Sequence, residues 1–202
     1  MRIIAGALRS RSIRGAGKDW GVRPISGRIK QSLFDILSGL LPGARFLDLF
    51  AGTGAVGIEA ISRGASFVFF VERDRRCLEL IEENLAAAGL TGRGKAHFGD
   101  VLDDLSWISY RSGIAQYDLI FLGPPYKDSE KRPLALSTPA LARVAAAGLL
   151  APQGWAVCQH QVKEVVEAPP GWRMVRREKY GDTFLSFFRC GDTLLNSPAI
   201  QA

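Results

Sequence analysis

An aspartate and a nearby glycine-rich turn form the part of the sequence best suited to binding a ligand. Asp48 lies within a short apolar run, and the turn follows at Gly52, Thr53 and Gly54. Glycines let the backbone bend tightly and approach a ligand closely, because they carry no Cβ atom. Together with Gly57, the two glycines of the turn also satisfy the G-x-G-x-x-G pattern of dinucleotide-binding sites.

The acid distinguishes between two kinds of ligand. A carboxylate at Asp48 would repel a pyrophosphate and attract a cation. S-adenosylmethionine carries an ammonium and a sulfonium group and no phosphate, so an acidic strand end followed by a glycine turn favours this cofactor. The alternative for a G-x-G string taken alone is an ordinary turn between a strand and a helix, with no ligand.

Two further acids follow strand-like segments. Glu72 ends the apolar run FVFFVE, about 20 residues after the glycine turn, where an acid meets the ribose diol in nucleotide-binding folds. Asp100 follows the next short strand and could accept a hydrogen bond from an adenine amino group. Each acid also has an ordinary explanation, a surface acid at a strand end and a Gly-Asp turn. Coming after the glycine turn, they predict an adenosyl site.

A second candidate site follows a buried strand, at Gly123, Pro124, Pro125 and Tyr126. Two prolines cannot extend a β-ladder, so they fix a rigid corner at the end of the strand. In open α/β sheets, ligands bind at this carboxyl edge. Tyr126 would offer a flat ring on which a base can stack. The alternative is a simple proline loop with a packing tyrosine.

Alternating strand-like and helical segments must position these residues, and they predict an α/β fold. Strands are predicted at 46–50, 67–72, 95–98, 117–122, 154–158, 173–179 and 183–189, and helices at 28–38, 55–61, 75–88, 101–108 and 141–150. The last two strands would form a hairpin around the turn at residues 180–182. Ser26 is the predicted N-cap of the first helix, and Gly89 the predicted C-cap of the helix at 75–88.

Size and composition exclude several classes of protein. The chain has 202 residues, 47% of them apolar, which is enough for one buried core. It has no apolar stretch of membrane-spanning length and no signal-peptide pattern. Cys77, Cys158 and Cys190 are widely spaced, which predicts reduced thiols in the cytoplasm. His97 and His160 have no ligand partner at a suitable spacing, so no metal site is predicted.

Positive charge is concentrated near the N-terminus. Residues 1–32 contain eight basic side chains and one acid, a net charge of +7, whereas the whole chain carries +6. A basic arm on a near-neutral body predicts a polyanionic partner, and residues 2–5 and 10–14 are predicted to form a hairpin. The predicted nucleic-acid-binding residues are Arg2, Arg9, Arg11, Arg14, Arg23 and Lys30. A solvated face and a targeting peptide are the alternatives.

Several motifs together resemble the RsmD-type bacterial methyltransferases, which modify the N2 atom of guanine in 16S ribosomal RNA. The resemblance covers most of the chain and rests on RIIAG at 2–6, VRP at 22–24, RIKQSLFDIL at 28–37, LDLFAGTGAVGIEAISRGA at 47–65, FVERD at 70–74, PPY at 124–126 and KYGDTFLSFFR at 179–189. The glycine motif alone would indicate only a class I methyltransferase. The basic arm and the YGDT hairpin narrow the resemblance to this family.

The resemblance implies a Rossmann-like, class I S-adenosylmethionine-dependent methyltransferase whose seven-stranded sheet has an antiparallel last strand, plus a basic N-terminal β-hairpin arm. We expect the arm in residues 1–27, the methyltransferase domain in 28–190 and a frayed tail in 191–202, in a monomeric protein. The residues implied to bind S-adenosylmethionine are Asp48, Phe50, Ala51, Gly52, Thr53, Gly54, Glu72, Arg73, Asp100 and Val101. Gly123, Pro124, Pro125 and Tyr126 would hold the flipped target base. The arm would bind 16S ribosomal RNA or the small ribosomal subunit.

The chain departs from the family motif at one position, because Gly123 stands where relatives have an acid before Pro-Pro-Tyr. A carboxylate there would accept a hydrogen bond from the guanine amino group and direct its nitrogen lone pair toward the methyl group. Asp128 and Glu130 follow closely and are candidate substitutes. This departure leaves open a weakened or inactive cofactor-binding RNA-binding protein. A DNA adenine-N6 methyltransferase and a protein glutamine methyltransferase would also use such a corner, although the basic arm argues against a protein substrate.

Overall fold

The computed structural model describes residues 1–17, 20–22, 24–128 and 130–191. Two predictions fall outside the described residues: the role of Arg23 as a nucleic-acid contact, and the frayed tail beyond residue 191. Within the described part of the chain, no helix is long and apolar enough to cross a membrane. In the same part, no three His, Cys, Asp or Glu side chains are grouped as ligands for a metal ion.

Seven strands form one sheet. The strands are β1 Arg45–Leu49, β2 Phe67–Glu72, β3 Gly94–Phe98, β4 Tyr117–Leu122, β5 Leu150–Gln161, β6 Trp172–Tyr180 and β7 Thr183–Cys190. Their order across the sheet is β3-β2-β1-β4-β5-β7-β6. Strands β1 to β5 pair in parallel, whereas β7 is antiparallel to both β5 and β6. The predicted class I fold with an antiparallel last strand is confirmed. The direction in which successive strands are added to the sheet reverses between β1 and β4. Such a reversal opens a crevice at the carboxyl ends of the parallel strands.

Five helices cover the two faces of the sheet. They are α1 Gly27–Ile36, α2 Ala55–Ser62, α3 Arg75–Ala87, α4 Trp107–Ser112 and α5 Ser137–Ala146, with a short 3-10 helix at Ser38–Leu40. Apolar residues of α1, α2 and α3 belong to one buried cluster, and those of α5 belong to the other, together with Ile108 of α4. The predicted N-cap is confirmed, since Ser26 Oγ accepts a hydrogen bond from the Ile29 amide at 3.3 Å.

Successive side chains of the central strands pack alternately in the two buried clusters. In β2, Val68 and Phe70 face the cluster that contains α1 to α3, while Phe69 and Val71 face the cluster that contains α5. All four side chains are buried. A strand covered on both faces is apolar along most of its length, which explains the nearly continuous apolar runs in the sequence.

Two helix predictions are wrong in their bounds. A helix over 101–108 does not form: Asp104 accepts hydrogen bonds from the amide and hydroxyl of Ser106, and α4 begins only after Ser106. The helix predicted at 141–150 lies earlier, at Ser137–Ala146. Its end is fixed by Gly148, whose φ of +62° breaks the helical path. Pro139 is tolerated because it lies in the first turn, where no intrahelical amide partner is needed.

Strand β5 extends well beyond its predicted bounds of 154–158. It runs from Leu150 to Gln161, with a register shift against β4 between Tyr117 and Leu119. The antiparallel pairing with β7 continues to Gln161, opposite Thr183. This extension carries Gln159 and Gln161 to the carboxyl edge of the sheet.

The N-terminal hairpin packs on the body of the protein. A single antiparallel bridge joins Arg2 to Ser12, where two short strands were predicted. Two of its three isoleucines, Ile3 and Ile13, are buried in the cluster that contains α2 and α3. Packing against the body therefore stabilises the hairpin, whose two arms share a single antiparallel bridge.

Candidate active site

A cavity of about 920 Å³ lies at the carboxyl edge of the sheet. It brings the glycine turn, the strand-end acids and the proline corner into one space. Among the implied cofactor residues, those lining the cavity are Asp48, Phe50, Ala51, Gly52, Thr53, Glu72, Arg73, Asp100 and Val101. Gly54 is the exception, because it packs behind the turn: a Cβ atom on it would lie 3.1 Å from Ile81 Cγ1.

The backbone of the turn adopts left-handed conformations. Gly52 and Gly54 have φ values of +54° and +73°, and Phe50 has a φ of +59° although it is not glycine. Such a conformation costs energy for a bulky residue and is concentrated at functional sites. A Cβ atom on Gly52 would lie 3.2 Å from Val22 Cγ1, so the chain before α1 presses closely on the turn.

Asp48 lies at the floor of the cavity with only 1% of its surface exposed. Its Oδ2 atom accepts a hydrogen bond from the Gly57 amide at 2.8 Å, which ties the end of β1 to the first turn of α2. Burial raises the pKa of this carboxyl to about 8, and the charge of Glu72 adds to the rise, while the Gly57 bond opposes it. The structure thus gives Asp48 a positioning role. Its contact with a cofactor ammonium stays a prediction.

Glu72 organises the neighbouring strand end. Its Oε2 atom accepts a hydrogen bond from the Gly52 amide at 2.7 Å. Its Oε1 atom accepts two more, from the amides of Arg73 at 2.8 Å and Asp74 at 2.9 Å. One carboxylate therefore holds the glycine turn against the end of β2, while still lining the cavity.

Arg73 and Asp100 form an ion pair at the rim. The Arg73 guanidinium lies 3.1 Å from Asp100 Oδ2, and Asp100 Oδ1 accepts a hydrogen bond from the Leu102 amide at 2.9 Å. An exposed pair of this kind contributes about 0–1 kcal/mol to stability. Both side chains therefore keep the freedom to bind a ligand at little cost.

The proline corner is anchored to the sheet and to its antiparallel end. The Gly123 amide donates to the Leu49 carbonyl at 3.3 Å. Tyr126 Oη accepts a hydrogen bond from Gln159 Nε2 at 2.8 Å and lies 3.4 Å from Thr183 Oγ1. These contacts fix the ring of Tyr126 at the cavity wall, as a stacking surface requires.

The candidate substitutes for the missing acid are engaged in their own loop. Asp128 accepts hydrogen bonds from the amides of Glu130 at 2.9 Å and Arg132 at 2.8 Å, and from Arg132 Nε at 2.7 Å. The hydrogen bond with the Arg132 side chain is the main reason why the pKa of Asp128 lies below its usual value. Glu130 also pairs with Arg132, at 3.1 Å, and is exposed. Both carboxylates therefore stabilise the loop.

Four of the six predicted nucleic-acid-binding residues are exposed on the hairpin: Arg2, Arg9, Arg11 and Arg14. Two of them have partners in the protein, since Arg14 pairs with Glu83 and Arg11 donates to the Ala88 carbonyl at 3.3 Å. These surface contacts are weak enough to be exchanged for phosphate contacts.

The prediction for Lys30 is wrong. Its side chain is 5% exposed, and its Nζ atom lies 3.0 Å from Glu59 Oε2, so it is buried in an ion pair. Helical spacing could have revealed this, because Lys30 lies three and four residues before the buried Leu33 and Phe34.

Glu59 is the centre of a buried cluster that joins the hairpin to the body. Its carboxylate accepts hydrogen bonds from the amides of Ile4 at 2.9 Å and Ala5 at 3.0 Å. It also pairs with Arg63 at 2.9 Å and with Lys30. Burial raises the pKa of Glu59, but the Ile4 amide and the two cations outweigh it, and the pKa is lowered.

Sequence reasoning missed two groups of cavity residues. The first is the linker between hairpin and α1, defined here by its described residues Trp20, Gly21, Val22, Pro24 and Ile25. The second group comes from the antiparallel end of the sheet and includes Gln159, Gln161 and Asp182. Had β5 been predicted at its full length, the alternation of its side chains would have indicated that Gln159 and Gln161 share one face at the carboxyl end of the strand. The linker reaches the cavity only through tertiary packing, which has no local signal in the sequence.

Comparison with known proteins shows where this architecture recurs. The family described as Conserved hypothetical protein 95 matches residues 1–189. The YlbH protein of Bacillus subtilis is 31% identical over 190 residues, covering 94% of this chain and 98% of that protein. Ribosomal RNA small subunit methyltransferase D of Haemophilus influenzae is 26% identical over 183 residues, covering 90% of this chain and 89% of that protein.

A solved structure agrees with the sequence matches. The yhhF protein of Escherichia coli superposes with a TM-score of 0.76 at 25% identity, covering 95% of this chain and 98% of that one. The family match at residues 1–189 extends over the hairpin, the sheet and the closing strands. The chain therefore belongs to the family described as Conserved hypothetical protein 95, that of the RsmD-type methyltransferases, and has their class I fold.

Proposed function

We propose that this chain transfers a methyl group from S-adenosylmethionine to the exocyclic N2 atom of a guanine in 16S ribosomal RNA. The observation that carries the proposal is the single cavity in which an acidic, glycine-lined half adjoins a proline corner with a fixed tyrosine. Membership of the RsmD-type family supports the class of substrate.

The acidic half of the cavity fits a cationic adenosyl compound. The volume of the whole cavity, about 920 Å³, is in the range of small-molecule sites. Glu72 would hold the ribose hydroxyls, Asp100 the adenine amino group, and the turn around Gly52 the methionine end. A side chain at Gly52 would fill this space and meet Val22. When bound, S-adenosylmethionine supplies a methyl group activated by its sulfonium.

The proline corner fits an extruded base. Enzymes that act on a base take it out of its stack and hold it against aromatic side chains. Tyr126 is suited to this because Gln159 and Thr183 fix its hydroxyl. The main-chain carbonyls at Gly123 and Pro124 would accept a hydrogen bond from the amino group of the base.

The hairpin would supply affinity for the RNA backbone. Its four exposed arginines lie on one anchored element, which packs against α2 and α3. Contacts between arginines and phosphates position a nucleic acid without reading its sequence. The guanine specificity would then come from the cavity.

Gly123 favours a second candidate function, a cofactor-binding RNA-binding protein with little or no catalytic activity. The corner lacks the carboxylate of its relatives, and the ring of Phe121 occupies the adjacent space. The fold, the cofactor half and the hairpin would all be retained in such a protein.

Parallel methylation assays test the proposal. The protein is incubated with labelled S-adenosylmethionine and, separately, small ribosomal subunits, naked 16S ribosomal RNA and duplex DNA, and the modified nucleosides are identified. We expect N2-methylguanosine from one of the RNA substrates and no label in DNA. Methyladenine in DNA would contradict the proposal, and binding of cofactor and RNA without transfer would favour the non-catalytic candidate.

A further inference from the structure

The turn between β6 and β7 contributes an acid to the base side of the cavity. Asp182 lines the same cavity as Gly123 and Tyr126. Its carbonyl accepts a hydrogen bond from the Val162 amide at 2.9 Å, which ties the turn to the end of β5. The backbone of Asp182 is thus fixed, while its side chain is exposed to solvent.

A chain of hydrogen bonds connects this acid to the stacking tyrosine. Gln159 Nε2 donates to Tyr126 Oη at 2.8 Å, and the Tyr126 hydroxyl lies 3.4 Å from Thr183 Oγ1. Thr183 Oγ1 in turn donates to Asp182 Oδ1 at 3.3 Å. A hydroxyl has one proton, so Tyr126 donates to Thr183 and Thr183 to Asp182. The carboxylate ends the chain as its final acceptor.

Asp182 differs from the other acids that line the described cavity. Asp48 and Glu72 receive backbone amides, and Asp100 receives both a backbone amide and an arginine. Asp74 and Asp128 are each bonded to an arginine as well as to backbone amides. The described contacts of the Asp182 carboxylate are limited to the long bond from Thr183. It therefore has the most acceptor capacity left for a ligand.

We propose that Asp182 accepts a hydrogen bond from the amino group of the target base, in place of the carboxylate that the corner lacks at Gly123. This inference rests on the proposed function and names a residue that specifies its substrate. A base with an exocyclic amino group fits, because that group donates two hydrogen bonds. One would go to Asp182 and the other to a main-chain carbonyl of the corner.

The first test compares Asp182→Asn with a matched control on β6, the strand that precedes the turn of Asp182. Glu178→Gln removes a carboxylate that pairs with Arg176 outside the cavity. We expect Asp182→Asn to lower kcat on the small ribosomal subunit by about 10²–10³, the usual effect of losing one preorganised polar contact in a transition state. Glu178→Gln should retain the wild-type kcat. Binding of S-adenosylhomocysteine, measured by calorimetry, should be unchanged in both variants.

The second test is rescue. Phe121→Leu makes room for a carboxylate introduced by Gly123→Asp. The triple variant with Asp182→Asn should have a kcat at least tenfold higher than that of Asp182→Asn alone. The double variant Phe121→Leu with Asp182→Asn should show no such increase. A loss that the restored acid fails to rescue would mean that Asp182 only holds Tyr126, and would overturn the acceptor role.

The outcomes separate this inference from the proposed function. If the wild-type protein methylates RNA and Asp182→Asn does so equally well, the inference is wrong and the proposed function stands. If the wild-type protein binds the cofactor but methylates no RNA, the proposed function is wrong and the inference falls with it.

Discussion

Phe121 Cε1 lies 2.9 Å from the position that a Cβ atom would occupy on Gly123. Phe121 is 4% exposed and packs in the buried cluster that contains α1 to α3. The absence of a side chain at the corner and the placement of this ring are therefore coupled. Any substitution at Gly123 acts on packing before it acts on chemistry.

A double-mutant cycle measures this coupling. We expect Gly123→Ala to lower the free energy of unfolding by about 1–3 kcal/mol, the typical cost of overpacking a core. In a Phe121→Leu background the same change should cost less than about 0.5 kcal/mol, since the smaller side chain leaves space. Urea denaturation gives both values. Gly39→Ala, where a Cβ atom meets nothing within 4 Å, is the control, and equal costs in both backgrounds would refute the coupling.

Lys30 should matter for stability and little for RNA binding. Lys30→Met leaves the buried carboxylate of Glu59 without one of its two cations, and breaking a buried pair in this way costs about 3–5 kcal/mol. The neighbouring exposed Arg28 offers a matched control, because Arg28→Met removes the same charge and should cost less than about 0.5 kcal/mol. Thermal or urea unfolding distinguishes them. Similar stabilities for the two variants would show that the pair contributes nothing.

The hairpin arginines should determine how RNA affinity depends on salt. Replacing Arg9, Arg11 and Arg14 with alanine should flatten the slope of log affinity against log salt by roughly 0.7–0.9 for each lost phosphate contact. Cofactor affinity should not change. Arg143→Ala, on α5 at the opposite face of the sheet, is the control. A slope in the triple variant equal to that of wild type would identify the hairpin as a solvated surface.

Glu72 should contribute directly to cofactor affinity. Glu72→Ala should weaken binding of S-adenosylhomocysteine by about 1.5–3 kcal/mol, because a charge-assisted hydrogen bond is lost and the Gly52 amide loses its acceptor. Calorimetry measures the change. Glu79→Ala, at an exposed position of α3, should bind as wild type does. Unchanged affinity in Glu72→Ala would remove this residue from the site.

The buried Asp48 should make stability depend on pH in an unusual direction. Its folded pKa of about 8 lies above the ordinary value of 3.8, so between these values the folded chain keeps a proton that the unfolded chain releases. The contribution of Asp48 to the free energy of unfolding therefore falls as pH rises, by up to about 1.4 kcal/mol per pH unit.

Comparison with Asp48→Asn isolates this contribution. The stability of wild type minus that of the variant should decrease between about pH 5 and about pH 7, by urea denaturation. The same comparison made with Asp118→Asn is the control. The hydrogen bond to Arg45 lowers the pKa of Asp118, so this group titrates below the pH window and its contribution should stay constant there. A difference that is independent of pH would mean that Asp48 is charged throughout.

Local patterns predicted the parts of the fold that depend on local physics. Buried parallel strands are apolar along most of their length, so β2 and β4 were found with their observed bounds. The glycine turn was recognisable because its backbone requires residues without a Cβ atom. Predictions failed where side chains compete with periodicity, as Asp104 does by shifting the start of α4 to Trp107.

The rest of the site depends on contacts between distant segments. Nothing near Trp20 in the sequence shows that the linker lines the cavity. The burial of Lys30 depends on Glu59, which lies in another helix. The relation of Gly123 to Phe121 depends on the orientation of one ring in the core. Such features follow from tertiary packing, which residue types and spacing do not specify.

The linker is anchored on both sides. Before it, the Arg14 amide donates to Asn84 Oδ1 at 2.7 Å, and after it Ser26 caps α1. Between these points, Trp20, Val22 and Pro24 form one wall of the cavity. Under the proposed function, a ligand entering beside this wall and an RNA bound by the hairpin would therefore act on the two ends of one short segment.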